Sequence, residues 1–174
     1  MSGHPKLYTR RVQWRHHLAS NAAKCLFVLL LARPAGHGLP KCTDELAREA
    51  ITQIPALADR VRQHREPKPF QALRATYLAY RGCDDGGPGE AMSDLVACTI
   101  AENWPTIPDL FKTMDADPAF RSFVLRHVDA TVGLLDLQRI LSLSTYSCPR
   151  MYRSLCDGLQ SAAKGALKPG GGHK

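Results

Sequence analysis

Acidic residues are missing from the first quarter of the chain. Residues 1–43 contain no Asp or Glu, and all 16 acidic residues of the 174-residue sequence follow them. The same segment holds seven Lys and Arg residues, which equals the net charge of +7. The excess of positive charge therefore belongs to the N-terminal segment. Such a segment attracts anionic partners, such as nucleic acid, an anionic membrane surface or an acidic protein.

Long hydrophobic runs are also missing. The apolar run at residues 25–32 spans eight residues, whereas a membrane-spanning helix needs about 20. We therefore expect no transmembrane segment. The run could form the apolar part of a signal peptide, and the acid-free start also has the composition of a mitochondrial presequence. Arg33 and Pro34 stand where signal cleavage needs small residues, so we predict a cytoplasmic protein and leave both targeting alternatives open.

The six cysteines contain no C-x-x-C pair, and their spacings match no zinc-binding pattern. Cys98 falls within a predicted helix and Cys25 within the apolar run. These positions are typical of buried free thiols, which indicate a reducing compartment. A secreted protein with disulfide bonds is the alternative interpretation.

Strict alternation of apolar and polar residues is absent as well, and β-branched residues are scattered. Apolar residues instead recur every three or four positions, which is typical of amphipathic helices. We therefore predict an all-α fold, a compact bundle of about seven or eight antiparallel helices in which stacked α-hairpins are one arrangement. The predicted domain spans residues 11–166, between a flexible basic tail at 1–10 and a disordered tail at 167–174.

Prolines, glycines and capping residues divide this domain into helices. Thr43 and Asp117 are predicted N-caps, and residues 106–109 have the pattern of a capping box. Pro55 should kink the helix after Thr43 or split it in two. The Gly-rich segment 82–89 is predicted to be a loop and a candidate hinge. The predicted helices cover about residues 11–32, 43–65, 70–81, 90–103, 118–131, 134–143 and 149–163.

Residues 90–131 are predicted to be the structural centre. Two helices, each with one apolar face, are joined there by a turn rich in aromatic residues and proline. Neither helix is stable with its apolar face uncovered, so the two should pack together. Four aromatic residues of this stretch are predicted to fill the core: Trp104, Phe111, Phe120 and Phe123. His127 lies on an apolar face and is predicted to be a hydrogen-bonded histidine of the core or of an interface.

Catalytic motifs are missing too. The sequence contains no signature of a serine hydrolase, zinc protease, kinase or nucleotide-binding loop. The residues that could in principle form a catalytic set are Cys98 or Cys148 with His127, and Asp94 or Glu102. Nothing in the sequence brings a nucleophile, a base and an orienting group together. We therefore predict a protein that is not an enzyme and that holds no cofactor and no metal.

The basic N-terminal segment is the strongest functional signal. Its cations can neutralise phosphates or an acidic surface, and its aromatic rings can stack on bases. The predicted contact residues for nucleic acid or an acidic partner are Arg10, Arg11, Trp14, Arg15, His16, His17 and Lys24. The second half of the same predicted helix is apolar all round, so it must be buried in the core or against a partner. The predicted partner-facing residues there are Leu26, Phe27, Leu29 and Leu30.

These features predict a small non-enzymatic α-helical protein-interaction module, adaptor or regulatory, with basic termini. A protein partner or a homo-oligomer is expected. The alternative is a nucleic-acid-binding accessory protein that uses the basic N-terminal segment. No motif of a known DNA- or RNA-binding class accompanies that segment.

Overall fold

A computed structural model describes residues 41–168 of the chain. This range folds into seven α-helices and two short 3-10 helices and contains no strand, which confirms the all-α prediction. The α-helices are α1 (Asp44–Arg62), α2 (Pro69–Tyr80), α3 (Gly86–Glu102), α4 (Ile107–Ala116), α5 (Pro118–Arg126), α6 (Leu134–Tyr146) and α7 (Arg153–Ala166). The 3-10 helices are Trp104–Thr106 and Arg150–Tyr152. None of the described helices is long and apolar enough to cross a membrane.

Helix α3 lies at the centre of the bundle. It packs against α1, α2 and α6, and nearly every residue from Met92 to Ala101 is buried. The four aromatic residues predicted for the core are buried, and three of them are almost fully so: Phe111, Phe120 and Phe123. Burial of one such side chain contributes about 1.5–3 kcal/mol. The prediction that residues 90–131 form the structural centre is therefore confirmed for α3 and the aromatic core. The predicted turn was wrong in part, because it contains the helix α4, and the second predicted helix ends at Arg126.

Two of the three predicted helix caps are present. The Thr43 hydroxyl accepts a hydrogen bond from the Leu46 N–H at 3.2 Å, and the Asp117 carboxylate accepts one from the Phe120 N–H at 3.0 Å. The capping box at residues 106–109 was a wrong prediction, because the Thr106 hydroxyl donates to the Asn103 carbonyl instead. Pro55 lies inside a continuous α1, so the helix is not split there.

Half of the Gly-rich segment, residues 86–89, is helical. Helix α3 begins at Gly86, because the Asp85 carboxylate caps the Gly86 N–H at 2.7 Å. Gly86 has a φ of 56°, a left-handed conformation that favours glycine. The predicted loop at 82–89 therefore wrongly includes residues 86–89, which form the first turn of α3. Its role as a hinge stays a prediction.

Four cysteines form disulfide bonds, Cys42 with Cys83 and Cys148 with Cys156. The prediction of free thiols is wrong for these four. Cys98 is a free, buried thiol as predicted, and Cys25 lies outside the described residues. Helix packing brings the paired Cα atoms to 4.7 Å and 6.1 Å across 41 and 8 residues. Sequence spacing alone cannot reveal that proximity.

Candidate functional site: a clamped surface loop and a buried polar cluster

The most exposed apolar residues lie on residues 146–153, which run from the last residue of α6 to the first residue of α7 and are here named the 146–153 loop. Three contacts hold this loop in place. Cys148 is bonded to Cys156 of α7. The indole N–H of Trp104 donates to the Ser147 carbonyl at 3.0 Å. The Tyr152 ring packs against Phe111, with ring centroids 5.3 Å apart. The loop is therefore held near both of its ends, at Ser147 with Cys148 and at Tyr152.

This clamped loop presents large side chains to water. Tyr146 is 84% exposed and Met151 is 81% exposed. Arg150 and Arg153 are exposed beside them, and neither forms an ion pair with any other residue in the range 41–168. Aromatic residues, Met and Arg are the types enriched at protein interfaces. The loop therefore has the composition of a binding surface.

A second exposed apolar site, at Leu134 and Leu135, lacks the contacts that hold the 146–153 loop in place. Leu134 and Leu135, which are 60% and 80% exposed, begin α6 after a Gly133 N-cap that offers no capping side chain. Within residues 41–168, neither a disulfide bond nor a side-chain hydrogen bond from the core fastens them. Leucine is also under-represented among residues that dominate binding energy. This pair serves as the comparison for the 146–153 loop.

A buried polar cluster lies around the start of α3. His127 is 4% exposed, and its two ring nitrogens contact different elements. Nε2 lies 2.6 Å from Asp84 Oδ1, and Nδ1 lies 2.9 Å from Ser93 Oγ. Ser93 Oγ also lies 3.1 Å from Asp129 Oδ2. Arg126 pairs with the second oxygen of Asp84. This cluster joins α3 to the segments before and after it.

Burial sets the charge state of the cluster. It lowers the pKa of His127, and this effect outweighs the Asp84 carboxylate, which raises it. Arg126 already compensates the charge of Asp84, so a neutral imidazole is the state we assign. Its Nε2–H donates to Asp84, which leaves Nδ1 as an acceptor for the Ser93 hydroxyl. Burial raises the pKa of Asp129, but hydrogen bonds from the hydroxyl and the backbone N–H of Thr131 oppose it, and the pKa is lowered overall.

The cluster has the residue types of a serine hydrolase but not its working geometry. Ser93 is 2% exposed and lies inside α3, and its hydroxyl has one proton for three neighbouring acceptors, on His127, Asp129 and Gly89. A nucleophile needs access to the substrate and a pair of free N–H donors beside it, whereas N–H groups inside a helix are already bonded. The cluster is therefore a set of tertiary hydrogen bonds.

The neighbouring cavity, of about 370 Å³, is dominated by carboxylates: Asp84, Asp85, Glu90 and Asp129. Among residues 41–168, no group of three or more His, Cys, Asp or Glu side chains is placed to hold a metal ion.

The catalytic sets considered from the sequence are not assembled. Cys148 is part of a disulfide bond and does not contact His127. Burial raises the pKa of Cys98 to about 12, so this thiol is not a nucleophile near neutral pH. Asp94 pairs with Arg62, and Glu102 pairs with Arg139. His127 is the hydrogen-bonded core histidine that the sequence predicted.

Sequence reasoning missed the partners of His127. Ser93, Asp84 and Asp129 lie 34, 43 and 2 positions away from it, and no spacing rule connects the first two to a histidine. It also missed the 146–153 loop. The available signal there was the pair of cysteines eight residues apart beside Tyr, Met and Arg.

The predicted contact residues of the N-terminal segment all lie outside the described residues. This applies to the basic and aromatic set Arg10, Arg11, Trp14, Arg15, His16, His17 and Lys24. It applies equally to the apolar set Leu26, Phe27, Leu29 and Leu30. Both sets stay predictions.

Comparison with known proteins identified no relative. No protein-family model, curated protein or solved structure matches the chain.

Proposed function

We propose that this chain is a non-enzymatic protein-interaction module that binds a macromolecular partner through the 146–153 loop. One observation carries the proposal: Tyr146 and Met151 are more than four-fifths exposed on a segment that a disulfide bond and a core hydrogen bond hold rigid. A segment whose backbone is already fixed loses little backbone entropy when a partner covers it. Burial of Met151 alone would contribute about 1.5–3 kcal/mol to binding.

Charge indicates the chemistry of the partner. Arg150 and Arg153 flank Met151, and residues 145–174 contain five Lys and Arg residues against the single acid Asp157. A complementary protein surface would have an apolar pocket bordered by Asp or Glu residues. Such charges speed association and exclude basic surfaces.

The buried polar cluster supports a non-enzymatic function. Its serine is inaccessible, and its histidine is occupied by two structural hydrogen bonds. We assign it the role of holding α3, at Ser93, and the segment before it, at Asp84, against the end of α5.

The two disulfide bonds are relevant to the cellular compartment of the protein. Disulfide bonds form and persist in oxidising compartments and are rare in the cytosol. In place of the cytoplasmic prediction we propose an oxidising compartment. The apolar run at residues 25–32 would suit the signal-peptide alternative. Intact-mass measurement of protein purified without reductant checks this point. We expect a mass lower than that of the fully reduced chain by the hydrogens of both disulfide bonds.

Site-specific photo-crosslinking tests the proposed surface. A photo-reactive phenylalanine analogue is placed at position 146, 151 or 135 of the full chain and irradiated in an extract of the source cells or their medium. We expect one common adduct from positions 146 and 151, and none of that mass from position 135. The adduct should disappear when unlabelled wild-type protein competes, but persist when the competitor carries Arg150→Glu and Arg153→Glu. Absence of a specific adduct at positions 146 and 151 would contradict the proposal.

The nucleic-acid alternative has its own test. Binding to non-specific DNA or RNA is measured at about 50 mM salt, where phosphate contacts are strong. Binding that is lost in the Arg10→Ala, Arg11→Ala, Arg15→Ala variant would favour the alternative. No binding at that salt concentration would exclude it.

A further inference from the structure

We propose that the cavity between α2 and α4 binds the phosphate group of a small ligand. This inference is independent of the 146–153 loop. The cavity has a volume of about 370 Å³, within the range of about 300–1,000 Å³ that small-molecule sites occupy. It is lined on one side by residues 67–71 with Arg74, and on the other by Thr106 and the outer face of α4.

The lining is cationic. Lys68, Arg74 and Lys112 line the cavity with Asp109, and Arg74 also pairs with Asp117, so three cations stand beside two carboxylates and their net charge is +1. Within residues 41–168, neither Lys68 nor Lys112 forms an ion pair. Like charges around one cavity repel each other, and an anion bound between them would relieve that repulsion.

Arg74 is only partly neutralised. Its Nη2 lies 3.3 Å from Asp117 Oδ2. Its Nε is buried and has no hydrogen-bond partner among the described residues. A buried N–H without an acceptor costs about 1–3 kcal/mol. An oxyanion in the cavity would supply that acceptor.

Backbone donors add to the side chains. Helix α2 follows Lys68, which makes no side-chain capping hydrogen bond, and Pro69 occupies the first turn. The N–H groups of Phe70 and Gln71 therefore lack a capping acceptor. The hydroxyls of Thr106 and Thr113 donate to the backbone carbonyls of Asn103 and Asp109, so the cations and the backbone provide the donors for a ligand.

A phosphate group fits this set of donors better than a carboxylate. Two lysines, the guanidinium Nε and backbone N–H groups approach from two helices, and a tetrahedral dianion offers acceptors in several directions. The exposed Pro67 and the half-buried Pro69 form an apolar rim, against which the organic part of a phosphomonoester could pack. Free phosphate and an organic phosphate share the chemistry that this cavity would recognise.

Isothermal titration of the full chain tests the inference with three probes: inorganic phosphate, phenyl phosphate and acetate. We expect saturable binding of both phosphates and at least tenfold weaker binding of acetate. The Lys68→Gln, Lys112→Gln variant should raise the Kd for phosphate at least about tenfold, since each tenfold step corresponds to about 1.4 kcal/mol of lost contact. The amide signals of Phe70 and Gln71 should shift on titration in an NMR spectrum.

A matched control distinguishes binding in the cavity from a general effect of the net charge of the protein. The Lys164→Gln, Lys168→Gln variant removes the same charge from α7 and its end, away from the cavity lining, and should bind phosphate as the wild type does. Tighter binding of phenyl phosphate would identify an organic phosphate, and equal binding would identify free phosphate; both results support the site. No saturable binding, equal weakening in both double variants, or acetate binding as tight as phosphate binding would overturn it.

Discussion

Trp104 and Ser147, 43 residues apart, are joined by a hydrogen bond from the indole N–H to the backbone carbonyl at 3.0 Å. The indole is buried in the core, and Ser147 is exposed. The hydrogen bond therefore anchors the 146–153 loop to the core. Because the disulfide bond Cys148–Cys156 lies one residue further along, the loop is held by both a polar and a covalent constraint.

The Trp104→Phe substitution tests the polar constraint. It removes the N–H donor and part of the ring while keeping an aromatic residue in the core. We expect a loss of about 1–3 kcal/mol in the free energy of unfolding, from the missing hydrogen bond and the smaller ring. Urea unfolding followed by circular dichroism measures the loss. Amide hydrogen exchange at residues 146–148 should also become faster, and unchanged exchange there would show that this hydrogen bond does not fix the loop.

The two disulfide bonds should differ in their contribution to stability. The bonded cysteines are 41 and 8 positions apart in the sequence. The entropy that a disulfide bond removes from the unfolded chain grows with the length of the loop it closes. We expect Cys42→Ser with Cys83→Ser to cost about 4 kcal/mol and Cys148→Ser with Cys156→Ser about 2.5 kcal/mol. Guanidinium unfolding of both variants without reductant measures the difference. A larger cost for the shorter loop would contradict this expectation.

His127 should make stability depend on pH. Its folded-state pKa is lowered from 6.5, so the unfolded chain binds more protons than the folded chain just below that pH. The free energy of unfolding should therefore fall as pH drops below about 6.5, until the folded-state pKa is reached. Denaturant unfolding between pH 8 and about pH 5 checks the effect.

Two variants isolate the contribution of His127 to that pH dependence. His127→Gln should be less stable than the wild type at pH 8, and should lose less stability on acidification. His64→Gln is the control, because the His64 side chain is 67% exposed. It should retain the pH dependence of the wild type. An equal loss of pH dependence in both variants would show that the buried cluster is not responsible.

Two glycines of α7 provide a matched test of helix packing. A Cβ at Gly165 would have nothing within 4 Å, whereas a Cβ at Gly158 would lie 3.2 Å from Leu125 Cδ2 of α5. Both substitutions by Ala gain helix propensity of up to about 1 kcal/mol. Gly165→Ala should therefore raise the melting temperature, and Gly158→Ala should raise it less or lower it. The opposite order would mean that α5 and α7 do not pack as closely as these distances indicate.

Local sequence signals predicted the fold well, because helix periodicity and caps act over a few residues. The repeated apolar positions from Met92 to Ile100 identified α3, and Asp117 followed by Pro118 identified the start of α5. The prediction at residues 82–89 was wrong where Gly86 opens a helix, because a glycine-rich first turn capped by Asp85 resembles a loop in composition.

The candidate site depends on contacts that sequence spacing does not encode. Trp104 and Ser147 are 43 positions apart, as are Asp84 and His127. Cys42 and Cys83 meet because α1 packs near the start of α3. Exposure is likewise a tertiary property. Tyr146 continues the helical pattern of α6, yet it is 84% exposed because its helix ends there.

The affinity of the partner identified by crosslinking at position 146 tests the central claim most directly. Purified partner is titrated with the wild type, with a Tyr146→Ala, Met151→Ala variant, and with a Leu134→Ala, Leu135→Ala variant as the matched control. Because a few residues supply most of the binding energy of an interface, loss of the Tyr146 and Met151 side chains should weaken binding by about 30-fold or more. The control should bind as the wild type does. Unchanged affinity in the 146 and 151 variant, with binding lost in the control, would contradict the assignment of the 146–153 loop as the binding surface.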